Sequence, residues 1–507
     1  MPKASLINIL GSIALGLVFF HAAYFLWIGI DHPALDYYAF RQTQTALSAY
    51  WMWQDGFRLS YQTPVLGYPW AIPFEFPIYQ WMVALLREFG VPIDIAGRMI
   101  SFGFYIATLY PLWILRKALN LRPLAWWITA VLFLASPFYV YWSRTVMIES
   151  CALFFSVSML ALIAQYLNDG RRLTLALAFV AGMLAVLTKA TTFPAYAFLA
   201  SILVLAKGFA ECRQGQLSTL RKRQLMLALG TLVASLLVGM LWIWYTDRVK
   251  LENPFGALLT SAETANHNFG SWKQRFSADF WRAAIFERAL PEMFGYGLLV
   301  AGIAAAAALP SRRYAVLMLS ALAGFVLPFL LFTNLHLVHS YYQNANGLLA
   351  LAAVGLGIAA IADLGQRLLA GVVLAVILAG QLAFFHAQYV PVIKADLTQD
   401  PLYIVSRAAK QYVPADKSLL VLGQDWSSVI PYYSERKSLT LPNWMPLPLI
   451  MQALDDPEKF LGGQRLGGVI YCTTYGYNDK TPLVDAAITG RTVIAEAGPC
   501  KLLSAPQ

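Results

Sequence analysis

The chain has 507 residues, of which 59% are hydrophobic and only 13% are charged. This composition is too apolar for a soluble enzyme of this length and indicates a membrane protein. The net charge of +10 does not indicate nucleic-acid binding, because the basic residues lie mostly in short loops and form no basic stripe with interleaved aromatic residues.

Apolar segments near the ~20 residues needed to cross a bilayer recur along the chain and stop near Tyr389. The first, 6–30, ends in Trp27 without a small-residue cleavage site, so we interpret it as a retained helix. The others predict crossings at 97–115, 124–138, 148–167, 173–187, 192–206, 225–245, 294–309, 315–333, 346–363 and 368–386. The sequence therefore predicts a mainly α-helical membrane bundle of about eleven helices.

The distribution of basic residues predicts the orientation of this bundle, because short loops rich in Lys and Arg stay in the cytoplasm. Alternate loops carry them: Lys3, Arg116, Lys117, Arg122, Arg171, Arg172, Lys207, Arg221, Lys222, Arg223, Arg312, Arg313 and Arg367. We therefore expect a multi-pass inner (plasma) membrane protein with a cytoplasmic N-terminus. Segments 31–96 and 246–293 are then periplasmic or extracellular.

Two domains are predicted, a transmembrane domain over 1–387 and an extracytoplasmic domain over 388–507. The second mixes β-rich runs at 419–422, 468–471 and 492–495 with a helical pattern over 403–413, which indicates a small α/β domain. Its two cysteines, Cys472 and Cys500, lie in an oxidising compartment, but spacing alone leaves their pairing open.

Both outer segments have features of helices that lie on a membrane surface. In 31–96, Ala46, Ala49, Tyr50 and Trp53 recur at helical spacing beside polar residues. In 246–293, aromatic and basic residues alternate in a mostly helical composition. Surface helices in the outer loops are therefore expected.

Charged and polar residues at the outer ends of apolar helices are more informative than the apolar residues, because burying them is costly. These residues are Asp31, Asp36, Arg41, Glu75, Arg144, Glu149, Lys189 and His339, with His32 and His336 as lesser candidates. Their common depth predicts that they converge on one cavity.

Seven of these positions lie in five tracts that resemble a known family. The tract 35–46 is similar to the Asp-x-x-x-[Trp/Phe]-Arg-Gln-x-x-Thr-Ala segment of bacterial membrane glycosyltransferases related to protein O-mannosyltransferases and lipid A aminoarabinose transferases. Tracts 74–79, 143–149, 187–189 and 339–343 follow in the same order, so the resemblance covers most of 1–390. Better-known members begin the first tract with adjacent Asp-Glu, whereas this chain has Arg41-Gln42, with Asp36 upstream.

The resemblance implies a GT-C fold, of the glycosyltransferase family 39 type, and transfer of a sugar, with inversion, from a polyprenyl-phosphate donor to an acceptor hydroxyl. A glycan, a lipid and a protein all remain open as acceptors. Such a reaction needs a carboxylate base, cations for the leaving phosphate and an apolar groove for the carrier tail. We assign the base to Asp36, which follows the first span; the alternatives are a helix N-cap role for Asp36 and a catalytic role for Asp31.

The basic residues Arg41, Lys189 and Arg144 are candidates for binding the donor phosphate, and Gln42, next to Arg41, is a further candidate for substrate binding. The alternative for Lys189 is snorkelling to the membrane interface. Arg144 can instead pair with Glu149 and order the cavity.

Glu75 is a candidate for orienting the acceptor, with an ion pair to Arg41 as the alternative. His339, Tyr342 and Gln343 offer hydrogen-bond donors for sugar or phosphate, although the same cluster can form an interfacial aromatic belt. Oxygen and imidazole ligands leave a divalent metal open, but their spacing does not support a site, so we predict neither a metal nor another cofactor.

Two other classes of function compete with the transferase. A transporter or flippase of a lipid-linked or anionic substrate is the first, but its charges typically lie near the bilayer midplane rather than at outer helix ends. The second is a non-catalytic sensor that works through the C-terminal domain.

Overall fold

The computed structural model describes residues 3–477 and 480–505. Six residues of the two predicted domain ranges lie outside the described residues: 1, 2, 478, 479, 506 and 507. Most of the chain is helical. The helices of the first half are α1 Lys3–Trp27, α2 Ala39–Asp55, α3 Ile78–Glu88, α4 Ile93–Ala107, α5 Leu109–Ala118, α6 Pro123–Ala135, α7 Pro137–Trp142, α8 Glu149–Asp169, α9 Arg172–Thr188, α10 Phe193–Arg213 and α11 Thr219–Lys250.

The second half contains shorter helices and all of the strands. Its helices are α12 Ala265–Phe269, α13 Trp272–Arg275, α14 Ala278–Trp281, α15 Leu290–Phe294, α16 Leu298–Ala306, α17 Arg312–Leu331, α18 Thr333–Val338, α19 Gly347–Asp363, α20 Arg367–Gln388, α21 Val390–Ile393, α22 Pro401–Tyr412, α23 Val429–Ser434, α24 Leu447–Asp455 and α25 Thr481–Ile488. Its strands are β1 Ser418–Leu422, β2 Ser438–Leu441, β3 Leu466–Cys472, β4 Val493–Ala497 and β5 Cys500–Ser504.

In the described part of the chain, eight helical stretches are long and apolar enough to cross a membrane. They are Asn8–Trp27, Ile93–Ala118, Glu149–Asp169, Phe193–Arg213, Thr219–Lys250, Ala278–Ala306, Arg312–Leu331 and Arg367–Gln388. Shorter apolar helices, Pro123–Ala135, Arg172–Thr188 and Gly347–Asp363, lie in the other segments predicted to cross. The multi-pass membrane architecture is confirmed, and the count of eleven crossings stays a prediction.

The chain forms two compact units. The first contains Met1–Ile30, Arg98–Trp242 and Ala265–Lys394, and the second contains Asp31–Gly97, Ile243–Thr264 and Ala395–Gln507. The predicted boundary at 387/388 lies close to the junction at 394/395. The second unit also takes in outer-loop residues that we had assigned to the transmembrane domain; the two-domain division itself stays a prediction.

Close helix contacts in the first unit depend on glycine. A Cβ at Gly357 of α19 would lie 1.9 Å from the Ala304 carbonyl oxygen of α16, and one at Gly380 of α20 would lie 2.2 Å from the Gly297 nitrogen. Real Cβ atoms do not approach backbone atoms this closely. Small residues that allow backbones to meet are typical of membrane helix bundles, where van der Waals packing drives association.

The second unit is built on a five-stranded sheet of order β2-β1-β3-β5-β4. Strands β1, β2 and β3 are parallel, while β5 pairs antiparallel with β3 and β4. A hydrophobic core that includes Val405 and Ala409 of α22 packs with Leu419, Val421 and Ile470 of the sheet. The small C-terminal sheet domain is thus confirmed.

Two features bind segments distant in sequence into this unit. Residues 64–67 pair with the free edge of β2: Ser438 N donates to Pro64 O (3.1 Å) and Thr440 N to Val65 O (2.8 Å). This pairing covers an edge strand that would otherwise expose its hydrogen-bonding groups. A disulfide joins Cys472 of β3 to Cys500 of β5, which closes the question that the spacing left open.

Candidate active site

The carboxylate of Asp36 lies just before α2 and is 8% exposed. Tyr38, with a left-handed backbone (φ 58°), occupies the N-cap position of α2 and makes no side-chain capping bond. The N-cap interpretation of Asp36 is therefore wrong. Gln42, fully buried one turn into the helix, donates from Nε2 to Asp36 Oδ1 and to the Tyr37 carbonyl (3.1 Å). The amide holds the Asp36 carboxylate in a fixed orientation.

On the same helix, Arg41 forms an ion pair with Glu75 through Nη2 and Oε1. Its Nη1 also donates to Gln44 Oε1 (2.6 Å). The two charged side chains are 11% and 21% exposed, so water screens part of their attraction. The ion pair that the sequence offered as an alternative role for Glu75 is present in the structure.

Tyr61 fixes the backbone on both sides of this carboxylate. Its hydroxyl donates to the Glu75 carbonyl (3.0 Å) and accepts from the Phe74 amide (2.9 Å). Burial, followed by the negative charge of Glu75, raises the pKa of the Tyr61 hydroxyl well above its usual range. Tyr61 therefore stays protonated at physiological pH and serves as a neutral clamp.

These side chains line a narrow polar crevice in the second unit. Its lining residues are Arg41, Gln44, Thr45, Ser48, Tyr61, Thr63, Phe74, Glu75 and Gln80. Within the described residues, the buried Nε2 of Gln44 and Oε1 of Gln80 have no hydrogen-bond partner. Leaving a buried amide group unpaired destabilises the folded state by about 1–3 kcal/mol. The crevice contains one such donor, on Gln44, and one such acceptor, on Gln80.

In the first unit, Lys189 forms an ion pair with Glu149 through Nζ and Oε1. The side chains are only 5% and 3% exposed, so Lys189 is buried rather than snorkelling to the surface. Among the residues that the structure describes, the second oxygen of Glu149 has no hydrogen-bond partner. Glu149 begins α8 and Lys189 follows the last residue of α9, which is why these distant residues meet.

Aromatic rings surround the Lys189 ammonium group. Its Nζ lies 4.1 Å from the Tyr342 ring centroid and 4.9 Å from that of Tyr341. The His339 ring lies 5.4 Å from Tyr341 and 6.0 Å from Tyr342, centroid to centroid. The rings attract the cation and keep water away from it. We call Glu149, Lys189, Tyr341 and Tyr342 the lysine cluster.

Arg288 holds the segment that carries these tyrosines. It donates to the carbonyls of His336 and Leu337, and the oxygen of the Gln343 amide, turned to suit its neighbours, accepts from Arg288 Nε (2.9 Å) and Nη2 (3.0 Å). Burial, with the charges of Arg288 and Lys189, lowers the pKa of His336 to about 3. His336 is therefore neutral at physiological pH and unsuited to proton transfer there.

Arg144 lies between α7 and α8 and is 1% exposed. Its guanidinium carbon lies 5.5 Å from the Tyr141 ring centroid, and its Nη2 lies 2.6 Å from where a Cβ would stand on Gly29. The sequence offered Glu149 as the ion-pair partner of Arg144. In the structure, Glu149 is paired with Lys189 instead.

The structure thus groups the predicted residues by unit. The second unit contains what we call the aspartate cluster: Asp36, Arg41, Gln42, Gln44 and Glu75. The others lie in the first unit: Arg144, Glu149, Lys189, His339, Tyr342 and Gln343. Convergence of both sets on one cavity stays a prediction. Over residues 3–477 and 480–505, no group of three or more His, Cys, Asp or Glu side chains is arranged to hold a metal ion.

Sequence reasoning missed several residues of these clusters. Arg288 carried a usable signal, since it is a charged residue within the apolar stretch Ala278–Ala306. Tyr61, Gln44 and Gln80 carried none, because neutral polar residues in an outer loop are common and only their contacts single them out.

The first unit also contains an apolar cavity of about 210 Å³ among α5, α6, α8, α10, α17 and α19. Leucine and alanine dominate its lining, and Arg116, Thr129 and Ser320 are its polar members. Such a cavity suits apolar groups and offers little to a sugar or phosphate.

Of three comparisons with known proteins, only that with solved structures finds a match. No protein-family model and no curated protein sequence matches the chain. Among solved structures, ArnT from Cupriavidus metallidurans bound to undecaprenyl phosphate is similar with a TM-score of 0.64 at 14% identity, over 99% of both chains. The chain has the GT-C fold.

Two further structures with this fold resemble the chain at greater distance. Archaeal oligosaccharyltransferase AglB from Archaeoglobus fulgidus, in complex with an inhibitory peptide and a dolichol-phosphate, has a TM-score of 0.57 at 10% identity, over 97% of this chain and 74% of its own. Arabinofuranosyltransferase AftD from Mycobacteria has a TM-score of 0.55 at 13% identity, over 97% of this chain and 41% of its own. The predicted fold class is confirmed.

Proposed function

We propose that this protein is a glycosyltransferase that moves a sugar from a polyprenyl-phosphate donor to an acceptor hydroxyl, with inversion. One observation carries the proposal: a chain with the GT-C fold along nearly its whole length, similar to a structure bound to undecaprenyl phosphate, buries a lysine among aromatic rings next to a carboxylate. A buried cation of this kind suits a lipid-linked phosphate.

We assign proton abstraction from the acceptor hydroxyl to Asp36. A general base needs a fixed carboxylate, and Gln42 donates to one of the Asp36 oxygens from a fully buried position. The Gln42 side chain is uncharged, so this hydrogen bond orients the Asp36 carboxylate without itself adding a positive charge.

Lys189 is the leading candidate for the leaving phosphate. The Lys189 ammonium group donates to Glu149 and supplies the point charge that a phosphate needs. The aromatic rings lower the local polarity, which strengthens any further charge interaction. Arg144 and Arg41 are assigned supporting contacts to the phosphate.

We assign acceptor binding to the polar crevice of the second unit, which holds no water-sized space in this structure and must therefore open to admit a sugar. Its unpaired amide donor on Gln44 and acceptor on Gln80 match the mixed hydrogen-bonding character of sugar hydroxyls, and Glu75 lines the same wall. In the first unit, we assign donor-sugar contacts to His339, Tyr342 and Gln343. The inner membrane and a periplasmic or extracellular active face are part of the proposal and follow from the one-sided basic loops.

The test uses the purified full-length protein in nanodiscs with a panel of polyprenyl-phosphate sugars and membrane-derived acceptors. We expect one donor to release polyprenyl phosphate in equal amount to glycosylated acceptor, and the product linkage, read by NMR, to have the opposite anomeric configuration. Donor consumption without any glycosylated product, or product with retained configuration, contradicts the proposal. An identical preparation of Asp36→Asn controls for contaminating activity.

A further inference from the structure

The carboxyl ends of the parallel strands in the second unit carry an unusual set of side chains. Three loops leave the sheet there: 423–428 after β1, 442–445 after β2 and 473–477 after β3. The chain goes from β1 to β2 on one side and places β3 on the other. In open α/β sheets, ligands bind outside the carboxyl ends of strands where the order reverses in this way.

These loops expose large aromatic rings to solvent. Trp444 is 45% exposed and Tyr475 is 49% exposed, while Trp426 is half-buried. The Asp425 carboxylate is exposed among them, and its Oδ1 accepts from Trp444 Nε1 (2.7 Å) and from the Trp426 amide (2.8 Å). The described residues donate no hydrogen bond to Asp425 Oδ2. We call Asp425, Trp426, Trp444 and Tyr475 the aromatic edge.

The loops that bear the aromatic edge are fixed to one another. Asn443 Nδ2 donates to the Gly476 carbonyl (2.9 Å), and the Tyr475 amide donates to the Gly423 carbonyl (3.3 Å). A Cβ on Gly423 would lie 1.6 Å from the Cys472 carbonyl oxygen, and the residue has a φ of +73°, so only glycine fits there. The rings are therefore presented by an ordered framework, which lowers the entropic cost of binding.

Buried polar atoms lie in the same loops without partners. In the part of the chain that the structure describes, Gln424 Nε2 and Ser428 Oγ have no hydrogen-bond partner, although their residues are 5% and 1% exposed. Asp425 disfavours an anionic ligand through like-charge repulsion, and the Lys480 ammonium group nearby is held by the carbonyls of Asn443 (2.7 Å) and Met445 (2.9 Å). Exposed rings beside a carboxylate, an amide and a hydroxyl instead suit a neutral polyhydroxylated ligand, whose C–H faces stack on rings while its hydroxyls form hydrogen bonds.

We propose that the aromatic edge binds a neutral sugar residue of the acceptor, which makes the acceptor a glycan. This inference rests on the proposed transferase function. The aromatic edge adjoins the polar crevice through one contact: the Trp426 ring lies 5.5 Å, centroid to centroid, from Phe74, which precedes Glu75 in the crevice wall. The aromatic edge is therefore next to the wall of the crevice to which we assign the acceptor.

The experiment measures saccharide binding directly, without turnover. Full-length protein in nanodiscs is mixed with neutral trisaccharides of glucose, mannose, galactose and N-acetylglucosamine in both anomeric linkages, and saturation-transfer NMR reads the contacts. We expect at least one to bind, Trp444→Ala or Tyr475→Ala to weaken it about 10-fold, and Asp425→Asn to weaken it about threefold. Tyr412→Ala is the matched control, since Tyr412 is 55% exposed on α22, outside the aromatic edge.

Two outcomes overturn the inference. Absence of binding for the whole panel, or equal loss in the Tyr412 control, means that the rings do not recognise saccharide. The second outcome concerns quenching of tryptophan fluorescence by brominated lipids. If quenching is stronger in wild type than in Trp444→Phe, Trp444 lies in the lipid interface instead. Polyprenyl phosphate binding, measured on the same samples, tests the transferase proposal separately, because it does not require the aromatic edge.

Discussion

The lysine cluster and the aspartate cluster use the same type of ion pair in different surroundings. Lys189 and Glu149 lie at the ends of membrane helices and are 5% and 3% exposed, whereas Arg41 on α2 and Glu75 in the loop before α3 are 11% and 21% exposed. A buried pair depends on each charge to compensate the other, because desolvation is costly. The partly exposed Arg41–Glu75 pair keeps some of its hydration, so its side chains can rearrange around a substrate at a lower cost.

The largest expected effect tests the aspartate cluster. Asp36→Asn keeps the size of the side chain but cannot accept a proton at neutral pH, so we expect single-turnover transfer to fall about 100- to 10,000-fold. Donor binding and the melting temperature should stay near wild type. Asp31→Asn is the control, and a dead Asp31→Asn beside an active Asp36→Asn would move the base to Asp31.

The next effect tests how strongly the lysine cluster depends on pairing. Lys189→Met leaves the Glu149 carboxylate buried without its cation, which should destabilise the protein by about 3–5 kcal/mol. The double variant Lys189→Met/Glu149→Gln removes both charges and should recover most of the melting temperature without recovering polyprenyl phosphate binding. Recovery of both would show that Lys189 is structural.

The disulfide of the second unit should contribute a comparable but slightly smaller stabilisation. Cys472 and Cys500 are 28 residues apart in sequence, and closing a loop of that length constrains the unfolded chain by about 3–4 kcal/mol. Cys472→Ala/Cys500→Ala should therefore increase protease cleavage within 395–507, measured by limited proteolysis. Cys212→Ala, which removes an exposed free thiol, should change nothing.

The smallest effect tests the Arg41–Glu75 ion pair of the aspartate cluster. Arg41→Ala should weaken donor binding by about 1.5–3 kcal/mol if its guanidinium contacts the phosphate, with a smaller loss of melting temperature than Lys189→Met because the Arg41–Glu75 pair is less buried. A double-mutant cycle with Glu75→Gln separates the roles. If the two substitutions are coupled only in their effects on melting temperature and donor affinity is unchanged, then Arg41 only positions Glu75.

Hydrophobic periodicity predicted most of the fold. Every predicted crossing coincides with an apolar helix, and three strand segments and one helix of the C-terminal domain lie where the pattern indicated them. Strands β2 and β5 were missed because each contains only two leucines, a weak apolar signal, so that pairing with their neighbours determines them. The pairing of residues 64–67 with β2 was equally inaccessible, since strand register across such a distance leaves no local signal.

Candidate residues were easier to find than their partners. Glu149 and Lys189 were selected because charges near apolar segments are costly, yet the sequence suggested Arg144, five positions away, as the partner of Glu149. Proximity along the chain favoured that pair, whereas the packing of α8 against α9 brings Lys189 to the carboxylate. Residue type thus indicates that a charge needs compensation, and only the tertiary structure decides what provides it.

The glycine contacts between helices also bear on how this protein can be engineered for purification in detergent. Replacing a helical glycine with alanine usually stabilises a helix by about 0.5–1 kcal/mol, but Gly357 and Gly380 have no room for a methyl group. Gly103, Gly230 and Gly302 have no atom within 4 Å of an added Cβ. Alanine at these three positions, read by thermal unfolding in detergent, should stiffen the helices, whereas alanine at Gly357 should push α16 and α19 apart and lower the yield of folded protein.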